Sequence, residues 1–73
     1  MALNHYIKET LIKQNTQRIV QLKPVVHKLI TSINQDISNT YDREETLKLA
    51  ETLSSTLRQM DSDVESLISL LNN

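Results

Sequence analysis

Two histidines are the side chains of this sequence best suited to acid–base or metal chemistry. Histidine is the residue that most readily moves protons near neutral pH. His5 lies four residues before Glu9, so on a helix the pair would supply two ligands of a metal site. Two ligands do not close a tetrahedral site. We therefore interpret His5 and His27 as ordinary surface or partly buried residues.

The acidic residues Asp61, Asp63 and Glu65 alternate along the chain as they do at the start of a calcium-binding loop. Such a loop requires a glycine for its sharp turn, and this sequence contains no glycine. The three residues also lie within a strongly helical pattern, where residues two apart point to different sides. The sequence therefore predicts a solvated acidic face and no metal site.

Phosphate and nucleic-acid chemistry is also disfavoured. Without glycine there is no glycine-rich phosphate loop. The five basic residues between residues 8 and 28 recur every five positions, which is about 140° per step around a helix and spreads them over its surface. Nucleic-acid binding needs a basic patch or stripe, whereas the net charge is −1. The serines lack the sequence surroundings of a catalytic nucleophile, so we predict no enzymatic activity and no catalytic residue. Together with the patterns above, this also predicts no cofactor and no metal.

The second half of the chain carries the clearest structural signal. Apolar residues recur there at alternating spacings of three and four, which predicts a helix over residues 42–71. Asp42 followed by Glu45 resembles a capping box at its start. The predicted packing or partner face consists of Leu53, Leu57, Met60, Val64, Leu67 and Leu71, preceded by Ala50.

The first half carries a second heptad series, which predicts a helix over residues 4–37. Its predicted packing or partner face consists of Ile12, Ile19, Leu22, Val26, Leu29 and Ile33. Polar Asn15 and Asp36 occupy two further positions of the same face, so it weakens at both ends. Pro24 lies inside the series and removes one helical hydrogen bond. Because the heptad phase is the same on both sides, we favour a kinked continuous helix; the alternative is a break at Pro24 that gives three helices.

Residues 38–41 form the predicted link, with Asn39 as the candidate for a left-handed backbone in a chain without glycine. A short link between two long helices predicts an all-α, coiled-coil-like antiparallel hairpin, with residues 1–73 as a single domain. Residues 1–35 have a net charge of +4 and residues 36–73 one of −5, which favours that pairing modestly.

A hairpin of 73 residues without cysteine buries one stripe per helix and leaves apolar surface uncovered. This predicts a protein–protein interaction module that binds another helical protein or, alternatively, itself as a four-helix-bundle scaffold. Leu3, Ile7 and Leu11 recur at one-turn spacing and form a candidate docking segment. The longest apolar runs have two residues and no signal-peptide pattern is present, so we expect no membrane span and a cytoplasmic location.

The size and layout of the chain resemble those of the small E-type co-chaperones of bacterial type III secretion systems. The segments that carry the resemblance are a basic amphipathic helix over residues 11–37 and a helix with an acidic start over residues 41–71. Members of that family are helical hairpins that help to keep a needle subunit soluble before export. The resemblance implies a chaperone function in type III secretion.

Overall fold

The computed structural model describes residues 5–39 and 41–72. They form two helices, α1 (His5–Asn39) and α2 (Arg43–Asn72), which pack against each other as an antiparallel hairpin. The molecule measures 55 × 16 × 12 Å. The predicted all-α hairpin is confirmed. The predicted end of the first helix at residue 37 is wrong, because α1 continues to Asn39 and shortens the predicted link.

Pro24 lies inside α1, which is assigned as one uninterrupted helix on both sides of it. The alternative of a break at Pro24 with a third helix is therefore not found in the described part of the chain. A continuous helix is consistent with the heptad phase, since the apolar residues before and after Pro24 face α2 equally. The kink at Pro24 stays a prediction.

The start of α2 follows the predicted capping pattern. The Asp42 carboxylate oxygen Oδ1 accepts hydrogen bonds from the backbone N–H groups of Glu44 at 3.0 Å and Glu45 at 3.3 Å. These are two of the donors that lack a partner at a helix start. Just before it, the Tyr41 N–H donates to the Asp36 carbonyl at 2.7 Å, a bond typical of helix ends.

The predicted left-handed residue was wrong. Asn39 is helical, and Tyr41 has the positive φ, at 31°. Asparagine is generally favoured at positions of positive φ because its short polar side chain tolerates the left-handed backbone conformation. In this chain the position at which the backbone must reverse is set by where α1 ends and where Asp42 caps α2, and that position holds a tyrosine.

Each helix turns one stripe of residues toward the other, and we call these two stripes the seam. On α1 all six residues of the predicted face are half-buried, as is Asp36, and they lie in the seam with the buried Asn15. No hydrophobic residue in the described segments is fully buried, whereas Asn15 and Asp63 are, at 1% and 6% exposure. The seam of α2 consists of Thr46, Leu49, Leu53, Thr56, Met60, Asp63, Leu67 and Leu70.

On α2 the predicted packing or partner face is divided between the seam and the exposed surface. Leu53, Met60 and Leu67 belong to the seam, as expected. Leu57, Val64 and Leu71 are exposed, as is Ala50. The predicted face and the observed seam share residues because α2 carries two stripes with the same alternating spacing. The helix is rotated so that the less apolar of these stripes faces α1.

Candidate interaction surface

Polar contacts across the seam fix how the two helices are aligned. Near the link, the Thr46 hydroxyl donates a hydrogen bond to the Asp36 carboxylate. Near the other end, the Arg18 guanidinium lies 3.8 Å from the Asp63 carboxylate. Because the helices are antiparallel, a step back along α1 from Asp36 corresponds to an equal step forward along α2 from Thr46. Leu29 is therefore level with Leu53, and the same alignment brings Arg18 close to Asp63.

Polar residues of the α2 seam have hydrogen-bond partners. The Gln59 amide donates to the Asp63 carboxylate at 3.1 Å, in addition to the contact with Arg18. The Thr56 hydroxyl donates to the Thr52 carbonyl at 2.8 Å. Because buried polar groups are costly only when they lack partners, these residues can face α1 without a large penalty.

Asn15 is the exception within the seam. Its side chain is the most deeply buried in the described part of the chain, and neither its amide nitrogen nor its amide oxygen has a hydrogen-bond partner. An unpartnered buried polar group costs about 1–3 kcal/mol. In coiled coils a buried asparagine of this kind selects register and oligomeric state at the expense of stability.

One side of the hairpin carries a row of exposed apolar residues, which we call the outer face. Leu57 is 46% exposed and Leu71 60%, so contact with α1 leaves much of their surface in water. The outer face consists of Leu47, Ala50, Leu57, Val64, Ile68 and Leu71 of α2 with Ile30 and Ile37 of α1. It extends over most of the length of α2.

Helical geometry places these residues on the same side. Leu57 and Val64 each follow a seam residue of α2 by four positions, and Ile30 and Ile37 each follow a seam residue of α1 by four. In an antiparallel pair, residues at that offset from both helices lie along the same edge of the seam. The opposite edge carries Arg18, whose contact with Asp63 confirms that it lies there.

The outer face is grooved along α2. A concavity of about 410 Å³ is lined by Ala50, Leu53, Ser54, Leu57, Arg58 and Asp61. A second, of about 250 Å³, lies nearer the link and shares Ala50 with the first. Shallow grooves of this kind beside a helix accept the side chains of another helix. Ser54, Arg58 and Asp61 add polar groups to its otherwise apolar lining.

The residues considered for acid–base and metal chemistry do not form a site in the described segments. His5 Nε2 lies 3.9 Å from Glu9, which also pairs with Lys13 at 3.2 Å, and all three are exposed. The prediction of a solvated acidic face was wrong for Asp63, which is in the seam, while Asp61 and Glu65 are exposed. Residues 5–39 and 41–72 contain no group of three His or carboxylate side chains that could hold a metal.

The candidate docking segment is only partly described. Leu3 lies outside the described residues, as do residue 4 of the predicted first helix and residue 40 of the predicted link. Ile7 and Leu11 are exposed on α1. Leu11 directly precedes Ile12 of the seam, which places it on the Arg18 edge, away from the outer face. The segment therefore does not extend the outer face.

The faces predicted from the sequence did not include Ile30, Ile37, Leu47 and Ile68, which belong to the outer face. Their signal was present in the sequence, since all four widen the heptad stripes on one flank. Neither helix in the described ranges is long and apolar enough to cross a membrane. Comparison with protein-family models, with curated proteins and with solved structures finds no match to this chain.

Proposed function

We propose that this chain is a non-enzymatic protein–protein interaction module that presents its outer face to a helical protein surface. The observation that carries the proposal is the rotation of α2. Thr46, Thr56 and Asp63 of α2 face α1, while the large apolar residues Leu57, Val64 and Leu71 face outward. A row of large exposed apolar side chains of this kind marks a protein contact site.

Burial of apolar surface alone would favour a rotation of α2 that turns Leu57 and Val64 toward α1. Leu57 and Val64 would gain from being turned inward in place of Thr56 and Asp63, because burying a large aliphatic side chain contributes roughly 1.5–3 kcal/mol. The contact of Asp63 with Arg18 crosses the seam and favours the observed rotation. The Gln59 amide of the same helix gives the buried Asp63 carboxylate a further partner. The hairpin thus keeps its most apolar surface available for another molecule.

A narrower form of the proposal is a chaperone of the type III secretion apparatus, located in the cytoplasm. Its support is the resemblance in size and layout to the E-type co-chaperones, together with an outer face able to cover an apolar helix of a subunit. In this form the chain needs no cofactor and binds neither nucleic acid nor membrane. This form would be supported if photo-crosslinking from the outer face captured an export or needle component.

Site-specific photo-crosslinking tests the interaction module. Leu57 and Val64 are replaced, one at a time, by a photoreactive amino acid in cells that produce the protein, and Ser55 and Ser62 of the outward polar face of α2 serve as matched controls. We expect adducts from the first two positions and not from the controls. No adduct, or equal adducts from all four positions, would overturn the proposal.

A further inference from the structure

We infer that the outer face is covered by the outer face of a second copy of this chain, in an antiparallel four-helix bundle with both links at the same end. This inference rests on the proposed function, because it names the occupant of the same surface. Three features of the molecule support it: the amount of exposed area, the distribution of charge and the position of the apolar residues along the hairpin.

The chain exposes more surface than a compact monomer of the same mass. The chain exposes 5798 Å². A compact monomer of 8.4 kDa exposes about 4,600 Å², so the excess is about 1,200 Å². Each partner of a standard stable interface buries about 800 Å². The excess is therefore large enough for a stable dimer.

The charges of the two helices are complementary to each other. Between His5 and Asn39, α1 carries five basic and two acidic residues, whereas α2 carries three basic and six acidic between Arg43 and Asn72. When the links lie at the same end, the α1 of one copy stacks on the α2 of the other, and every neighbouring pair of helices is antiparallel and opposite in charge. The reverse stacking places α1 on α1 and α2 on α2, which brings like charges together.

The apolar residues are also distributed to suit this arrangement. In the register set by Asp36 and Thr46, Ile30 and Ile37 of α1 lie at the heights of residues 52 and 45 of α2, beside Leu47 and Ala50. Both helices are therefore apolar in the half of the outer face near the link. With the links at the same end, this half meets its own counterpart. With the links at opposite ends it would meet the distal half, where α1 presents Thr16 and Lys23.

The predicted contact at the rim joins Lys23 of one copy to Asp61 of the other. Lys23 follows Ile19 of the seam by four residues and therefore lies along the edge of the outer face. In the register set by Asp36 and Thr46 it is at the height of residue 59, two residues from Asp61. Asp61 lines the groove beside Leu57. Stacked with the links at the same end, the two side chains face each other.

Sedimentation equilibrium on the purified full chain tests the second copy. We expect a dimer, and we expect L57E to weaken dimerisation by at least about tenfold because it places a charge in the apolar interface. S55E on the outward polar face should leave the dimer unchanged. Circular dichroism shows whether L57E keeps its helices, and V64Q provides a milder second variant should it lose them. A monomer at every concentration tested would overturn the inference.

Cysteine crosslinking tests the orientation, since the chain contains no cysteine of its own. A disulfide requires Cα atoms within about 7 Å. The K23C/D61C double variant should oxidise to a covalent dimer, whereas K23C alone should not. Crosslinking of K23C alone would overturn the arrangement, because Lys23 lies near the middle of α1 and meets its own counterpart only when the links are at opposite ends.

The two proposals fail in different ways. A purified chain that stays monomeric while positions 57 and 64 still crosslink to another protein in cells would overturn the second copy and leave the interaction module standing. A monomeric chain without adducts at those positions would overturn both. Adducts at twice the mass of the chain, together with a dimer in sedimentation, would support both.

Discussion

Replacement of Asn15 by leucine should stabilise the hairpin. Asn15 is 1% exposed, and both polar atoms of its side chain lack partners. Removing them relieves about 1–3 kcal/mol, and burying the leucine side chain adds roughly 1.5–3 kcal/mol. Because leucine is larger than asparagine, crowding takes back about 1–3 kcal/mol. We therefore expect a net increase of about 1–3 kcal/mol in the free energy of unfolding.

Urea unfolding followed by circular dichroism measures this change. For a chain of this size the slope is about 1 kcal/mol per molar urea, so the midpoint should rise by at least about 1 M. The matched control is Gln14→Leu, which makes a similar change on the neighbouring exposed residue and should stay within about 0.5 kcal/mol of wild type. All proteins are compared at one concentration, because assembly shifts the apparent stability.

The opposite result would refute the reasoning. A loss of more than about 1 kcal/mol in Asn15→Leu, with Gln14→Leu unchanged, would mean that the Asn15 amide makes hydrogen bonds that outweigh the gain from leucine. The same variant has a second readout. If Asn15 selects the register of the seam, its leucine variant should show additional oligomeric species in sedimentation although it is more stable.

The remaining predictions concern single positions in each helix. Pro24→Ala restores a helical hydrogen bond and should raise the helical signal and the free energy of unfolding by up to about 3 kcal/mol; an unchanged or lower signal would speak against a kinked continuous helix. In dilute protein, Leu53→Ala in the seam should cost about 2 kcal/mol, whereas Leu57→Ala on the outer face should cost less than about 0.5 kcal/mol, and equal costs in urea unfolding would contradict the observed rotation of α2. Asp42→Ala should cost about 1 kcal/mol through loss of the helix cap, while Asp42→Asn should be nearly neutral in the same assay.

The seam of α1 could be predicted from the sequence because α1 has only one apolar stripe. Its polar members Asn15 and Asp36 fall in phase with the apolar ones, so the pattern itself identified them as seam positions. The cap at Asp42 was also predictable, since it depends on residues close in sequence. Local sequence patterns were therefore sufficient to predict a feature wherever only one structural arrangement was compatible with the pattern.

The rotation of α2 could not be predicted in this way. Two stripes with the same spacing share Leu53, Met60 and Leu67, and hydrophobicity alone selects the one with Leu57 and Val64. The observed choice depends on contacts between residues distant in sequence, those of Asp63 with Arg18 and of Thr46 with Asp36. The same limitation applies to Tyr41, whose backbone is set by the two helices that it joins.

The shared residues of the two stripes link folding to assembly. Leu53, Met60 and Leu67 are half-buried against α1, and the rest of their surface borders the outer face. A second molecule on that face would complete their burial, so assembly would stabilise the same side chains that hold the hairpin together. In the described segments no hydrophobic residue is fully buried without it. Because a ligand that binds only the folded state raises stability by mass action, the stability of this hairpin should increase with protein concentration if a second copy is the partner.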